Sequence, residues 1–182
     1  MGFFRRRSSI GIGHVGVRVR TASRSRLLDA QSAVALATRV RERGGTVVFT
    51  NGVFDLLHPG HVRYLREAKA LGDALIVGVN SDTSTRSIKG PERPINPEHE
   101  RAELLLALAS VDAVVIFDEE TPHVIVSAVQ PDVLVKGADW GPNDIIGRDV
   151  VEARGGRVVR IALSPGHSTS ELLNKVRKAS PP

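Results

Sequence analysis

The chain has 182 residues, of which 41% are hydrophobic, with no cysteine and a formal net charge of +5. That length suits one domain of ordinary size plus a tail, and the composition excludes a chain too polar to fold. No apolar run approaches the ~20 residues a bilayer-spanning helix needs. The lack of cysteine removes a disulfide framework, a thiolate metal site and a cysteine nucleophile, and is compatible with a reducing cytoplasm.

In chain order, residues 1–26 come first, with seven arginines and no acid. They carry +7, which against +5 overall leaves −2 on residues 27–182. This segment has no regular period and is expected to be a solvated, disordered tail, with residues 27–182 forming the domain. A nucleic-acid or anionic-lipid tether, or a transit-type leader, are the other readings of its composition. Next, Leu27, Leu28, Val34, Ala35, Ala37 and Val40 fit one helical face, ended by Gly44-Gly45. A strand is expected over 46–51, a helix over 60–71 stopped by Gly72, and a strand over 74–80, whose unbroken apolar run suits burial on both faces. Residues 81–97 read as a long, Gly- and Pro-bearing loop, as a mobile lid would be. A helix follows over 98–109, a strand over 112–117, a helix opened by Thr121-Pro122, and a short strand over 132–135. A loop over 137–143, a short helix near 146–154, a strand over 157–162 and a helix over 168–178 complete the chain. Strands alternating with helices predict an α/β, Rossmann-like, doubly wound sheet of five parallel strands. Ligands of such sheets bind beyond the carboxyl ends of the strands.

The chemistry-bearing residues fall at those ends. After the first strand of this alternation, His58 and His61 flank Pro59-Gly60 at a helix start and share one helical face. Gly60 permits close approach, and the helix N-terminus favours an anion. Imidazolium there would neutralise charge on a transferring phosphoryl group. A metal pair or purely structural histidines are the alternatives, and zinc lacks a completing ligand at suitable spacing. After the second strand, Lys89 and Arg93 in Lys89-Gly90-Pro91-Glu92-Arg93-Pro94 read as a cationic clamp on phosphate, or as a solvated loop. Arg101 stands near a helix start, where a cation opposes the dipole, so it is expected to face a bound anion. In Lys136-Gly137-Ala138-Asp139-Trp140, the only tryptophan suits base stacking and Asp139 suits a hydrogen bond from base or sugar; otherwise Trp140 seals the core edge. Ser168, Thr169 and Ser170 open the last helix, where Ser168 and Glu171 form a capping box that can also cradle phosphates. The P-loop signature G-x-x-x-x-G-K-[ST] is absent.

Gly52-Val53-Phe54-Asp55-Leu56-Leu57-His58-Pro59-Gly60-His61 resembles the G-x-F-D-x-x-H-x-G-H signature of the cytidylyltransferase-like nucleotidyltransferases, and His167-Ser168-Thr169-Ser170 resembles their second signature, with Ser in the fourth position instead of Thr. The strings Val79-Asn80-Ser81-Asp82, Lys89-Gly90, Arg93-Pro94-Ile95-Asn96-Pro97 and Leu134-Val135-Lys136-Gly137-Ala138-Asp139 are similar to the adenylyltransferase domain of bifunctional ADP-heptose synthesis proteins. The resemblance covers residues 30–178 and implies AMP transfer from ATP to D-glycero-β-D-manno-heptose 1-phosphate, giving ADP-heptose and pyrophosphate with Mg²⁺. It implies His58, His61 and Lys89 as catalytic residues, and Asn51, Gly52, Val53, Phe54, Lys136, Asp139, Trp140, Ser168, Thr169 and Ser170 around the nucleotide. Arg93 and Arg101 would serve phosphate. A cytoplasmic homodimer working with a separate sugar kinase is also implied, since the chain is too short to hold the kinase itself. Alternatives are a CTP-dependent enzyme acting on a polyol or amino-alcohol phosphate, and a non-catalytic nucleotide-binding protein. Neither nucleic acid nor membrane insertion is expected.

Overall fold

A computed structural model describes residues 26–141 and 144–162. Six strands form one sheet: β1 (Leu27–Leu28), β2 (Val47–Gly52), β3 (Ala74–Asn80), β4 (Ala113–Phe117), β5 (Val133–Gly137) and β6 (Arg157–Ile161). The order across the sheet is β1-β4-β3-β2-β5-β6, and all neighbours are parallel. The helices are α1 (Ala30–Glu42), α2 (Pro59–Lys69), α3 (Asp82–Lys89), α4 (Glu98–Leu106), α5 (His123–Val129) and α6 (Arg148–Glu152). None of the described helices is long and apolar enough to cross a membrane.

The strands carry apolar residues at both parities because both faces of the sheet are covered. On one face Val48, Leu75, Val77, Val79, Val114, Val133 and Val135 pack with Tyr64, Leu65 and Ala68 of α2 and Ala102, Leu105 and Leu106 of α4. On the other, Val47, Phe49, Ile76, Val115 and Leu134 pack with Ala33 and Ala37 of α1, Ile125, Val126 and Val129 of α5, and Val151 of α6.

Register is fixed at the amino ends by three aspartates, each one residue before a strand. Asp112 donates its N–H to the Leu75 carbonyl and accepts the Leu75 N–H on its carboxylate, at 3.0 and 2.7 Å. Asp132 makes the same reciprocal pair with Val47, and Asp73 with Thr46. A one-residue slip would break both bonds of a clamp and turn every core side chain to the wrong face.

The structure corrects the sequence reading in three places. Leu27 and Leu28 belong to a sixth strand, paired with Val114 and Val115, and not to the first helix. Asp29 ends that strand and caps α1, accepting the Ser32 N–H at 2.7 Å. Just before it, Arg26 donates to the carbonyls of Val111 (2.9 Å) and Leu106, so the last arginine of the basic segment is part of the folded body. Second, residues 82–89 are helical, not loop. Ser81 caps α3 by accepting the Ser84 N–H, and Asn80 donates from its side-chain amide to Ser84 Oγ. Third, Arg101 does not face an anion site. It is fully buried, and its guanidinium donates to the carbonyls of Asn96 (2.9 Å) and Val53 (2.6 Å) and to the Asp82 carboxylate (2.8 Å). Those acceptors, not a ligand, explain a cation in the first turn of a helix.

Arg101→Ala would leave two carbonyls and a carboxylate without their donor. A loss of ~3 kcal/mol is expected, at the lower end for breaking a buried charged pair, read as a fall in the urea midpoint. Unchanged stability with raised KM for the nucleotide would instead restore a phosphate-binding role.

Candidate functional site

A cavity of about 500 Å³ opens at the carboxyl ends of β3, β2 and β5, and its walls include Asn51, Gly52, Val53, Phe54, His58, His61, Lys89, Arg93, Lys136, Asp139 and Trp140. It lies where the strand order reverses: from β2 the chain moves one way to β3 and later returns to β2's other side as β5. The structure therefore brings together every described residue expected at the site except Arg101. Ser168, Thr169 and Ser170 lie outside the described residues.

The centre of the pocket is the turn from β2 into α2. Phe54 has φ 49°, a left-handed conformation that is uncommon outside glycine. Its side chain is buried, lies against Gly52 and meets the His61 ring edge-on at a centroid distance of 5.3 Å. A β-carbon on Gly52 would come within 3.2 Å of the Phe54 ring, so this glycine gives the ring its place. Asp55, 2% exposed, anchors the turn from below. Its carboxylate pairs with Arg93 Nε at 2.9 Å and accepts the N–H groups of Ile95 (2.7 Å) and Asn96 (3.1 Å). Arg93 thus reaches the pocket wall while committed through Nε to Asp55.

His58 caps α2, and Pro59 follows at the first helical position, where its missing N–H costs nothing. The first turn of α2 contains no acid, so the positive end of the helix is left for a ligand anion. The His58 and His61 rings are stacked, with centroids 3.8 Å apart and planes 21° from parallel. The His61 pKa falls to about 4, chiefly through burial and next through repulsion from His58, offset in part by the Leu56 main chain. His61 is therefore a neutral imidazole at pH 7. The imidazolium expected from sequence requires an anion to be present first.

On the β5 side, Lys136 is 7% exposed, donates to Asn51 Oδ1 at 2.6 Å and lies 5.4 Å from the centroid of Trp140. Burial lowers its pKa to about 8, with nearby Asp139 acting in the opposite direction. Trp140 is 45% exposed, so it does not seal the core. Tyr64, on α2, closes the pocket floor through a 2.7 Å bond between its hydroxyl and Thr50 Oγ1. On the β3 side, Lys89 is the last residue of α3.

Several wall residues were not anticipated. Asn80 ends β3, and Tyr64 lies on α2. Glu120 and Pro122 follow β4, where Pro122 was read only as a helix opener, and Ile146 comes from the segment before α6. Asp55 was visible within the signature, but its role as an anchor depends on partners forty residues away.

Among the described residues no group of three or more His, Cys, Asp or Glu side chains could cage a metal. The single carboxylate of Asp139 suits a divalent ion that arrives bound to a triphosphate.

The depressed His61 pKa has a consequence for stability. Between pH 6.5 and about 4 the unfolded chain binds a proton at His61 that the native chain does not, so stability falls as pH falls through that window. Urea unfolding at pH 7.5 and pH 5 should show a smaller loss for His61→Gln than for the parent chain. Equal losses would place the His61 pKa near its ordinary value.

Residues 49–171 match the cytidylyltransferase-like family. Bifunctional proteins HldE from Mesorhizobium japonicum and Geobacter metallireducens are 49% and 44% identical over 160 and 168 residues, covering 88% and 92% of this chain. Those matches cover 32% and 34% of the relatives, so the chain spans about a third of their length. The crystal structure of a lipopolysaccharide core biosynthesis protein from Thermoplasma volcanium GSS1 superposes with a TM-score of 0.55 at 34% identity, covering 66% of this chain and 98% of that one. A pantoate-beta-alanine ligase from Francisella tularensis, solved with beta-gamma ATP and beta-alanine, shares the fold at 12% identity, with a TM-score of 0.53 and coverage of 84% and 78%. By its signature, its sheet and these relatives, the chain belongs to the cytidylyltransferase-like family of nucleotidyltransferases.

Proposed function

We propose that the protein transfers AMP from ATP to D-glycero-β-D-manno-heptose 1-phosphate, releasing pyrophosphate and forming ADP-heptose. The observation that carries this reading is the stacked His58–His61 pair at the acid-free start of α2, opening on a pocket shared with Lys89, Lys136 and Trp140. The choice of sugar rests on identity of about half, over most of the chain, to the HldE proteins.

The chemistry needs no protein nucleophile. A phosphate oxygen of the sugar phosphate attacks the α-phosphorus of ATP, the bond from that phosphorus to the β-phosphate bridging oxygen breaks, and pyrophosphate leaves with the electron pair. The attacking oxygen is already anionic, so no general base is required either. What the protein must supply is alignment and charge stabilisation. The Val53 and Phe54 main chain and the start of α2 surround the α-phosphate, while His58 and His61 donate ring N–H groups. The approaching anion raises the imidazole pKa values, so positive charge develops on the rings as negative charge arrives. Lys89 holds phosphate from the end of α3. Trp140 stacks on the base, with Asp139 and the Lys136–Asn51 pair beside it. Asp139 would help hold a Mg²⁺ bound to the triphosphate, and that ion would neutralise part of the triphosphate charge. The resemblance to the second signature assigns Ser168, Thr169 and Ser170 to phosphate binding. Arg93 contributes by bracing the turn through Asp55 and presenting its remaining N–H groups to phosphate. The enzyme works in the cytoplasm as a homodimer, and a sugar kinase activity supplies its acceptor.

Purified protein with heptose 1-phosphate and each of the four NTPs in turn should release pyrophosphate with ATP far faster than with CTP, GTP or UTP. A preference for CTP and a polyol phosphate would replace this reading with that of a cytidylyltransferase. ATP binding without turnover on any sugar phosphate would mean a non-catalytic site. His61→Ala should lower kcat by ~10²-fold or more while the circular dichroism spectrum is unchanged.

A further inference from the structure

A pocket for two polyanions has little reason to present an uncommitted acid. Of the carboxylates on its wall, Asp55 is occupied by Arg93 and two main-chain N–H groups, and Asp139 lies beside Lys136. Glu120 has no cationic partner among the described residues; its carboxylate is hydrogen-bonded to the Ser87 hydroxyl of α3, and the residue is exposed. Its position is nonetheless fixed. Ser84 Oγ donates to the Glu119 carbonyl at 2.8 Å and itself accepts from the Asn80 side chain, so the segment after β4 is stapled to α3. We infer that Glu120 is the specificity-determining residue that binds the hydroxyl groups of the acceptor sugar; the inference rests on the AMP-transfer reading above.

Three observations point the same way. The first is position. β4, which Glu120 follows, and β5, which Trp140 follows, lie three strand spacings apart in the sheet, or ~14 Å. The start of α2 lies between them. With the base on Trp140 and the α-phosphate at His58 and His61, the wall at Glu120 remains for the acceptor, whose phosphate oxygen approaches phosphorus opposite the departing pyrophosphate. The second is surroundings. Ile88 and Ile146 are 43% and 37% exposed and line the same pocket with Pro122, which gives an apolar wall for the C–H face of a sugar ring. The third is charge. A carboxylate accepts hydrogen bonds from hydroxyls but repels phosphate, so it orients the acceptor with its phosphate toward Lys89, two residues beyond Ser87 on the same helix. A neutral side chain at position 120 would lose that discrimination.

The test is steady-state kinetics of the parent chain and Glu120→Gln, each substrate varied with the other saturating, with heptose 1-phosphate and methyl phosphate as acceptors. Glu120→Gln should raise KM for heptose 1-phosphate ~10- to 100-fold, the range spanned by a hydrogen bond to a charged group, and leave KM for ATP unchanged. With methyl phosphate, which has no hydroxyl, the variant should match the parent or exceed it in kcat/KM. A rise in KM for ATP, equal losses with both acceptors, or no change in either KM would overturn the inference. If the parent chain itself rejects heptose 1-phosphate but uses another polyol phosphate, the heptose reading fails while Glu120 is tested on that acceptor with the same expectation.

Discussion

Two buried charges hold the active turn in place. The Asp55 carboxylate ties the residues after β2 to Arg93, Ile95 and Asn96, and the Arg101 guanidinium ties Val53 to Asn96 and to Asp82 at the start of α3. The segment between α3 and α4 is thereby bound to the turn that carries Val53, Phe54 and the start of α2. Removing the partners of Asp55 or Arg101 would leave a buried charge unpaired, so the arrangement tolerates little loosening. Lys89 sits at the junction of α3 with this braced segment, which sets its distance from the histidines. Phosphate transfer that relies on alignment and not on covalent chemistry needs this kind of rigidity.

The rest of the fold serves the same end. Aspartate clamps set register at the amino ends of the strands, so Asn51, Asn80 and Lys136 emerge at defined positions at the carboxyl ends. The electrostatics are graded instead of uniformly positive. Burial holds His61 neutral, and Lys136 is held by Asn51. Two stacked imidazoles can both be charged at low cost only against phosphate, so stabilisation develops with the substrate and is not spent on the resting state.

How much of this was legible in the sequence depends on the length over which each signal extends. β3, six apolar residues in a row before Asn80, and the strand-to-helix turn at His58 were readable because periodicity and capping chemistry are local. The two-residue β1 was not, since Leu27 and Leu28 fit a helical face as well as a strand and only pairing with β4 decides. Helix α3 was missed because Asp82-Thr83-Ser84-Thr85-Arg86-Ser87 has almost no apolar residue, and its buried positions are Ser84 and Thr85, satisfied by Ser81 and Asn80. Arg101 was misread for the complementary reason. A cation opposing a helix dipole does signal a nearby acceptor, but the sequence does not say that the acceptors are Val53, Asn96 and Asp82. Glu120 carried no motif at all; only the sheet order brings the end of β4 to the pocket.

The central claim is that bond cleavage occurs at the α-phosphorus, with the acceptor as nucleophile. Following ATP labelled in turn at the α- and the γ-phosphate tests it most directly. The account predicts that α-label appears in the sugar nucleotide and γ-label only in pyrophosphate. Transfer of γ-label to the sugar, or release of α-label as free AMP with no sugar nucleotide formed, would contradict it.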